Sequence, residues 1–155
     1  MKIRPFEARD AADWARIFHS AVHEIGARDY SPEQCAAWSP SPAPAEAVRA
    51  RAGDGRRTWV AADAQDVAQG FIELEADGHI DCFYLAPAAA GRGIGAALYA
   101  RLEAEARGLG LRSLYVEASE AARRFFLRQG FAKGARREFE RRGVTIHNYA
   151  MTKEL

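Results

Sequence analysis

Two groups of residues in this chain could do chemistry. His79 and Asp81 stand two apart at the head of the run His79 to Leu85, whose pattern is that of a β-strand. Alternation places His79, Asp81, Phe83 and Leu85 on one face. An imidazole beside a carboxylate takes a proton near neutral pH, because the negative neighbour raises its basicity. The second group is Gly91, Arg92, Gly93, Ile94, Gly95 and Ala96, which follows a Pro-marked break and opens into an amphipathic segment. The first turn of a helix carries amide N–H groups without intrahelical partners, and glycines let a bulky anion approach them. The guest such a turn suits is a phosphate or pyrophosphate.

These groups need a scaffold, and the rest of the chain supplies one. Lys2 to Phe6 reads as a short strand, and Trp14, Ile17, Phe18, Val22 and Ile25 recur at helical spacing after Asp10. Ser31, Pro32 and Gln34 mark a second helix start with a capping box, and Ala45 to Arg51 a further short helix. Strand patterns then run through Thr58 to Ala62, Val67 to Glu75 and His79 to Leu85, with Asp77-Gly78 as a hairpin turn. After the glycine turn come a helix to Gly108, a strand over Leu111 to Val116, a helix over Ala121 to Gln129 and a terminal hairpin turning near Arg142-Gly143.

Several other residues carry a functional and a structural reading. Tyr30 and Trp38, on a short helix and its loop, are either pocket walls or packing residues. His19 and His23 sit four apart but lack a third ligand, so no metal site is expected. Glu73 and Glu75 read as solvated strand carboxylates, and His147 as a hairpin residue without a catalytic role. His79 itself could simply close a hairpin, and Asp81 could be a structural hydrogen-bond acceptor.

With 155 residues and 48% hydrophobic content, the chain suits one well-cored domain spanning residues 1–155. Its formal net charge of +1 gives no general attraction to nucleic acid or to an anionic membrane. No apolar run approaches the roughly 18 residues of a membrane span. Cys35 and Cys82 lack metal-ligand spacing, and the charged start Met1 to Glu7 lacks the apolar stretch of a signal peptide. A reducing, cytoplasmic location is expected.

The strand, the turn Ala90 to Leu98, the helix, the next strand and then Ala122-Arg123-Arg124-Phe125-Phe126-Leu127-Arg128-Gln129-Gly130-Phe131 together resemble the GNAT superfamily of acetyl-CoA-dependent N-acetyltransferases. Tyr30 to Gln34 with Trp38, the Ile80-Asp81 step, Glu117-Ala118-Ser119 and Arg142-Gly143 are similar to its YafP-like bacterial branch. The resemblance implies an α/β (α+β) fold with a mixed, mostly antiparallel sheet of about seven strands and helices on both faces. It also implies acetyl-CoA as cofactor. Gly91 to Ala96 would cradle the pyrophosphate, the backbone of Phe83, Tyr84 and Leu85 would pair with the pantetheine arm, and Ser119 would cap a helix or hydrogen-bond the cofactor.

On that resemblance the chain transfers an acetyl group to a primary amine of a small molecule or peptide in a ternary complex. A base must deprotonate the amine, and Asp81 and His79 occupy strand positions where members carry an acid. Tyr30 and Trp38 would line the acceptor pocket. Members are often homodimers.

Two departures stand out. Ala90 replaces the expected Gln or Arg, and Phe126 occupies the place of a Tyr that protonates the departing thiolate. Tyr30, Tyr84 or Tyr149 could substitute, or the thiolate could leave unassisted. The departures also admit a coenzyme A-binding sensor without acyl transfer. Gly91 to Ala96 fits a dinucleotide fingerprint too, but Ala86 to Ala90 separate it from its strand and no second mononucleotide half remains.

Overall fold

A computed structural model describes residues Met1–Leu155. Strands β1 (Lys2–Pro5), β2 (Arg57–Ala62), β3 (Ala68–Leu74) and β4 (Ile80–Leu85) form an antiparallel sheet in that order. Strands β5 (Ser113–Ala118), β6 (Arg136–Arg141) and β7 (Val144–Glu154) form a second antiparallel sheet in the order β5-β7-β6. The seven expected strands are all present.

The two sheets touch at one parallel bridge, His79 with Tyr115, where the Tyr115 N–H donates to the Gly78 carbonyl at 3.1 Å. Gly78 is required at this junction. Its φ is +97°, and a Cβ there would lie 2.5 Å from the Ser113 carbonyl oxygen, a contact no side chain tolerates.

Helices cover both faces. On one lie α1 (Ala11–Ser20), α2 (Pro32–Trp38) and α3 (Ala45–Ala52). On the other lies α4 (Ile94–Gly108), while α5 (Glu120–Arg128) packs on β5 and β7. The core follows this division. Trp14 stacks on Phe71 with centroids 4.5 Å apart on the α1 side. Leu98 and Leu102, both fully buried, face the sheet from α4.

Two helix starts differ in how they are capped. Ser31 caps α2 with Gln34 in a reciprocal box, as the sequence pattern requires. Asp10 stands at the N-cap position of α1 but makes no cap with its side chain: its carboxylate is buried, accepts from the Glu7 N–H at 2.8 Å and pairs with Arg4. A buried acid needs its counter-charge more than the helix needs a cap. Beyond Ser20 the helix widens into a π-helical turn, Ala21–Ile25, a local irregularity common near functional sites.

Candidate active site

The site begins with a β-bulge. Ile72 pairs with Phe83 but Leu74 pairs with Ile80, so β4 spends one more residue than β3 over this stretch. The extra residue breaks the alternation expected for His79 to Leu85. Phe83 and Leu85 point toward α4, within reach of Gly95, whereas Asp81 and Cys82 both turn to the opposite face, where Arg51 of α3 reaches each of them. Asp81 therefore does not share a face with Phe83 and Leu85.

Asp81 and His79 share no hydrogen bond, although their side-chain ligand atoms lie within 4.8 Å and the Asp81 charge is one of the smaller influences that raise the His79 pKa. The Asp81 carboxylate accepts from Arg51 and, at 2.7 Å, from Arg56 Nη1. Partial burial pushes its pKa up, but the two guanidinium groups outweigh that and hold it below the ordinary carboxylate range. His79 lies between two other carboxylates, Nδ1 at 2.7 Å from Glu75 and Nε2 at 2.7 Å from Glu117. Burial opposes its charged form, yet these hydrogen bonds win and raise its pKa. Its ring stacks on Tyr115 at 4.7 Å. His79 thus bridges Glu75 and Glu117 and pins the two sheets where they meet.

Glu73 is not solvated. It is 1% exposed, on β3 opposite the bulge, and accepts from Trp14 Nε1 at 3.2 Å, Arg51 Nη1 at 2.6 Å and Arg56 Nη1 at 3.3 Å. Desolvation raises its pKa, and the Arg51 charge offsets this only in part. Glu73 fixes the two arginines that in turn hold Asp81. Its neighbours in sequence carry no sign of this, because the counter-charges come from 22 and 17 residues away.

Beyond the His79 bridge, β4 and β5 diverge and leave a cleft of about 520 Å³ lined by residues from Ile80 to Tyr84, by Val116, Glu117 and Ser119, and by α2 and the β6-β7 hairpin. Ala86 N–H donates to Gln69 in β3 at 2.8 Å. By strand alternation, Tyr84 also gives its backbone groups to β3, while the N–H and C=O of Phe83 and Leu85 point to the free edge. Of the three residues expected to offer backbone there, Tyr84 is the exception.

The glycine turn lies at one end of this edge. Gly91 and Gly93 have φ of +76° and +79° with nothing within 4 Å of a would-be Cβ, and Gly93 starts α4 without a side-chain cap. Gly95 has a different reason: a Cβ there would lie 3.1 Å from the Phe83 ring. Arg92 and Ala96 are exposed, while Ile94 is buried. The open turn, the uncapped amides and the unpaired strand edge suit an elongated ligand carrying a pyrophosphate.

The family comparison agrees with this geometry. A family model described as an acetyltransferase (GNAT) domain matches residues 26–153. The chain belongs to the GNAT acetyltransferase family. Among its GNAT relatives, the uncharacterized N-acetyltransferase YafP of Escherichia coli is 31% identical over 154 residues, covering 97% of this chain and 94% of YafP. A GCN5-related N-acetyltransferase from Rhodopseudomonas palustris superposes with a TM-score of 0.90 at 35% identity, over 99% of this chain and 95% of that one. YncA from Salmonella typhimurium, whose structure holds acetyl-CoA, superposes with a TM-score of 0.75 at 22% identity, over 99% and 92% of the two chains.

The remaining site residues of this GNAT domain divide between cleft and scaffold. Phe126 is fully buried among Phe83, Phe125, Tyr99 and Phe131. Ser119 Oγ accepts from the Ala122 N–H at 3.3 Å and caps α5. Trp38 Nε1 donates to the Tyr84 hydroxyl at 3.2 Å, so Trp38 does wall the cleft. Tyr30 also lines it, but its hydroxyl donates to the His147 carbonyl at 3.0 Å and accepts from the Glu120 N–H at 3.1 Å. Burial pushes its pKa up to about 12. The Tyr149 hydroxyl donates to Glu120 at 2.7 Å. His147, set aside in the sequence, lines the cleft with Nε2 at 2.8 Å from that same Glu120.

Proposed function

We propose that this protein transfers the acetyl group of acetyl-CoA to a primary amine of a small molecule or peptide, by direct attack within a ternary complex. The observation that carries the reading is the divergence of β4 from β5 after a single bridge, which frees the backbone of Phe83 and Leu85 beside the glycine turn. YncA, which shares the fold, holds acetyl-CoA. Two unpaired cysteines suit a reducing, cytoplasmic setting.

Gly91 to Ala96 would hold the pyrophosphate through backbone N–H groups, with Arg92 adding charge in place of the side chain missing at Ala90. Phe83 and Leu85 would hold the pantetheine arm as an added strand would. Acetyl-CoA supplies the acetyl group as a thioester. Backbone N–H groups on the free edge of β4 face the region where negative charge develops on the carbonyl oxygen, and such fixed donors stabilise that charge without reorganisation.

Asp81 takes the amine's proton, directly or through water. Arg51 and Arg56 keep it ionised, so it is available whenever the amine is, although they also weaken it as a base. His79, with both nitrogens engaged, holds Glu75 and Glu117 in place and keeps the cleft open at its hinge. Of the three tyrosines that could replace a hydroxyl at position 126, Tyr30 and Tyr149 donate their protons elsewhere. Tyr84 accepts from Trp38 and keeps its own proton for the departing thiolate.

The absence of a hydroxyl at Phe126 also favours a second reading, a coenzyme A sensor that binds without transfer. The two are separated by incubating the protein with acetyl-CoA and a broad amine and peptide panel. Thiol release matched by acetylated amine supports the enzyme, and a raised melting temperature with no product supports the sensor.

A further inference from the structure

We propose that the acceptor is an amino acid, recognised through its carboxylate by Arg137 and Arg141. This inference rests on the acyl-transfer reading and names the substrate class for the same cleft.

Most charges in the cleft lining are already matched. Asp81 is held by Arg51 and Arg56, Glu117 by His79, and His147 by Glu120. Arg137 and Arg141 are different. Neither has a carboxylate partner: Arg137 Nη1 donates to the Asn148 side-chain oxygen at 3.2 Å, and the Arg141 guanidinium lies 4.0 Å from the centroid of the Trp38 ring.

The two arginines come from one face of β6. Arg137, Phe139 and Arg141 alternate toward the cleft, and the Phe139 ring meets Trp38 at 5.8 Å. Stacking on the indole orients Arg141 while leaving its N–H edge unused, which is the arrangement that receives a planar carboxylate. Arg137 and Arg141 are exposed at the rim of the cleft, and an amine that also carries a carboxylate brings the charge that complements them.

These arginines are placed for the acceptor and not for the cofactor's phosphates. The β6-β7 hairpin faces α2, tied there by Arg142 of its turn donating to the Ala37 carbonyl and by Gln34 Nε2 donating to the Thr145 carbonyl of β7 at 3.0 Å, and Arg141 of β6 stacks on Trp38 of α2. The glycine turn belongs to the opposite layer, at the start of α4.

The test is calorimetric titration of the coenzyme A-loaded protein with the proteinogenic amino acids, their amides, the decarboxylated amines and aminophosphonates. At least one amino acid is expected to bind about 10-fold or more tightly than its matched amide, and Arg141→Gln and Arg137→Gln each to remove most of that difference. Acetyl-CoA affinity should stay unchanged in both variants. Equal affinity for acid and amide, a preference for the decarboxylated amine or the aminophosphonate, or an undiminished preference in both variants would overturn the assignment. Acetylation of neutral amines without carboxylate preference overturns this inference alone; failure to bind acetyl-CoA at all takes the acyl-transfer reading down with it.

Discussion

Arg56 joins Asp81 to the protein interior: its Nη1 lies 2.7 Å from the Asp81 carboxylate and 3.3 Å from that of the fully buried Glu73. A single guanidinium atom thus couples a group at the cleft to one that has no access to solvent. Asp81→Asn keeps the shape of this contact but removes the carboxylate proposed to accept the amine's proton. The variant should bind acetyl-CoA normally and lose roughly 10²- to 10⁴-fold in kcat. Full turnover in Asp81→Asn would remove Asp81 from the mechanism.

Glu73 makes the opposite prediction. Glu73→Ala leaves Arg51 and Arg56 facing a buried position without their counter-charge, and breaking such a pair costs about 3 to 5 kcal/mol. The loss should appear in a urea melt as a lower midpoint at unchanged slope. A variant as stable as the parent would show that the arginines are satisfied by Asp54 and Asp81 alone.

His79 ties stability to pH. Its folded pKa is raised above the ordinary 6.5 by Glu75 and Glu117, so its stabilising contribution is complete below about pH 6.5 and is lost as pH rises through the folded value. Melting temperature should therefore fall across that interval in the parent and fall less in His79→Gln. Catalysis should behave differently. Asp81 is ionised throughout, so kcat/KM should climb with the amine's own deprotonation and show no separate step for His79.

Much of this arrangement was legible in the residues. Ser31 with Gln34, the Asp77-Gly78 turn and the glycines at 91 and 93 each carry a local rule that the fold obeys. The bulge at Asp81-Cys82 was not legible, because strand alternation has no marker for one added residue, and a single insertion moves every side chain before it to the other face. Glu73 was misread for a related reason. A lone carboxylate in a strand looks solvated until the distant arginines that satisfy it are folded beside it.

The departure at Phe126 can be tested from both directions. Tyr84→Phe should lower kcat by roughly 10²- to 10⁴-fold, the range a positioned acid contributes. Phe126→Tyr in that background should recover part of the loss. Unchanged kcat in Tyr84→Phe would mean that the thiolate leaves without a proton donor.

The central claim is that the gap between β4 and β5 is a place where an acetyl group changes hands. The most direct measurement follows free thiol and acetylated amine together, with acetyl-CoA and a panel of amines that includes the amino acids. The two products should appear in equal amounts, dependent on both substrates. Tight acetyl-CoA binding with no acetylated product from any amine, or thiol release without it, would contradict the account.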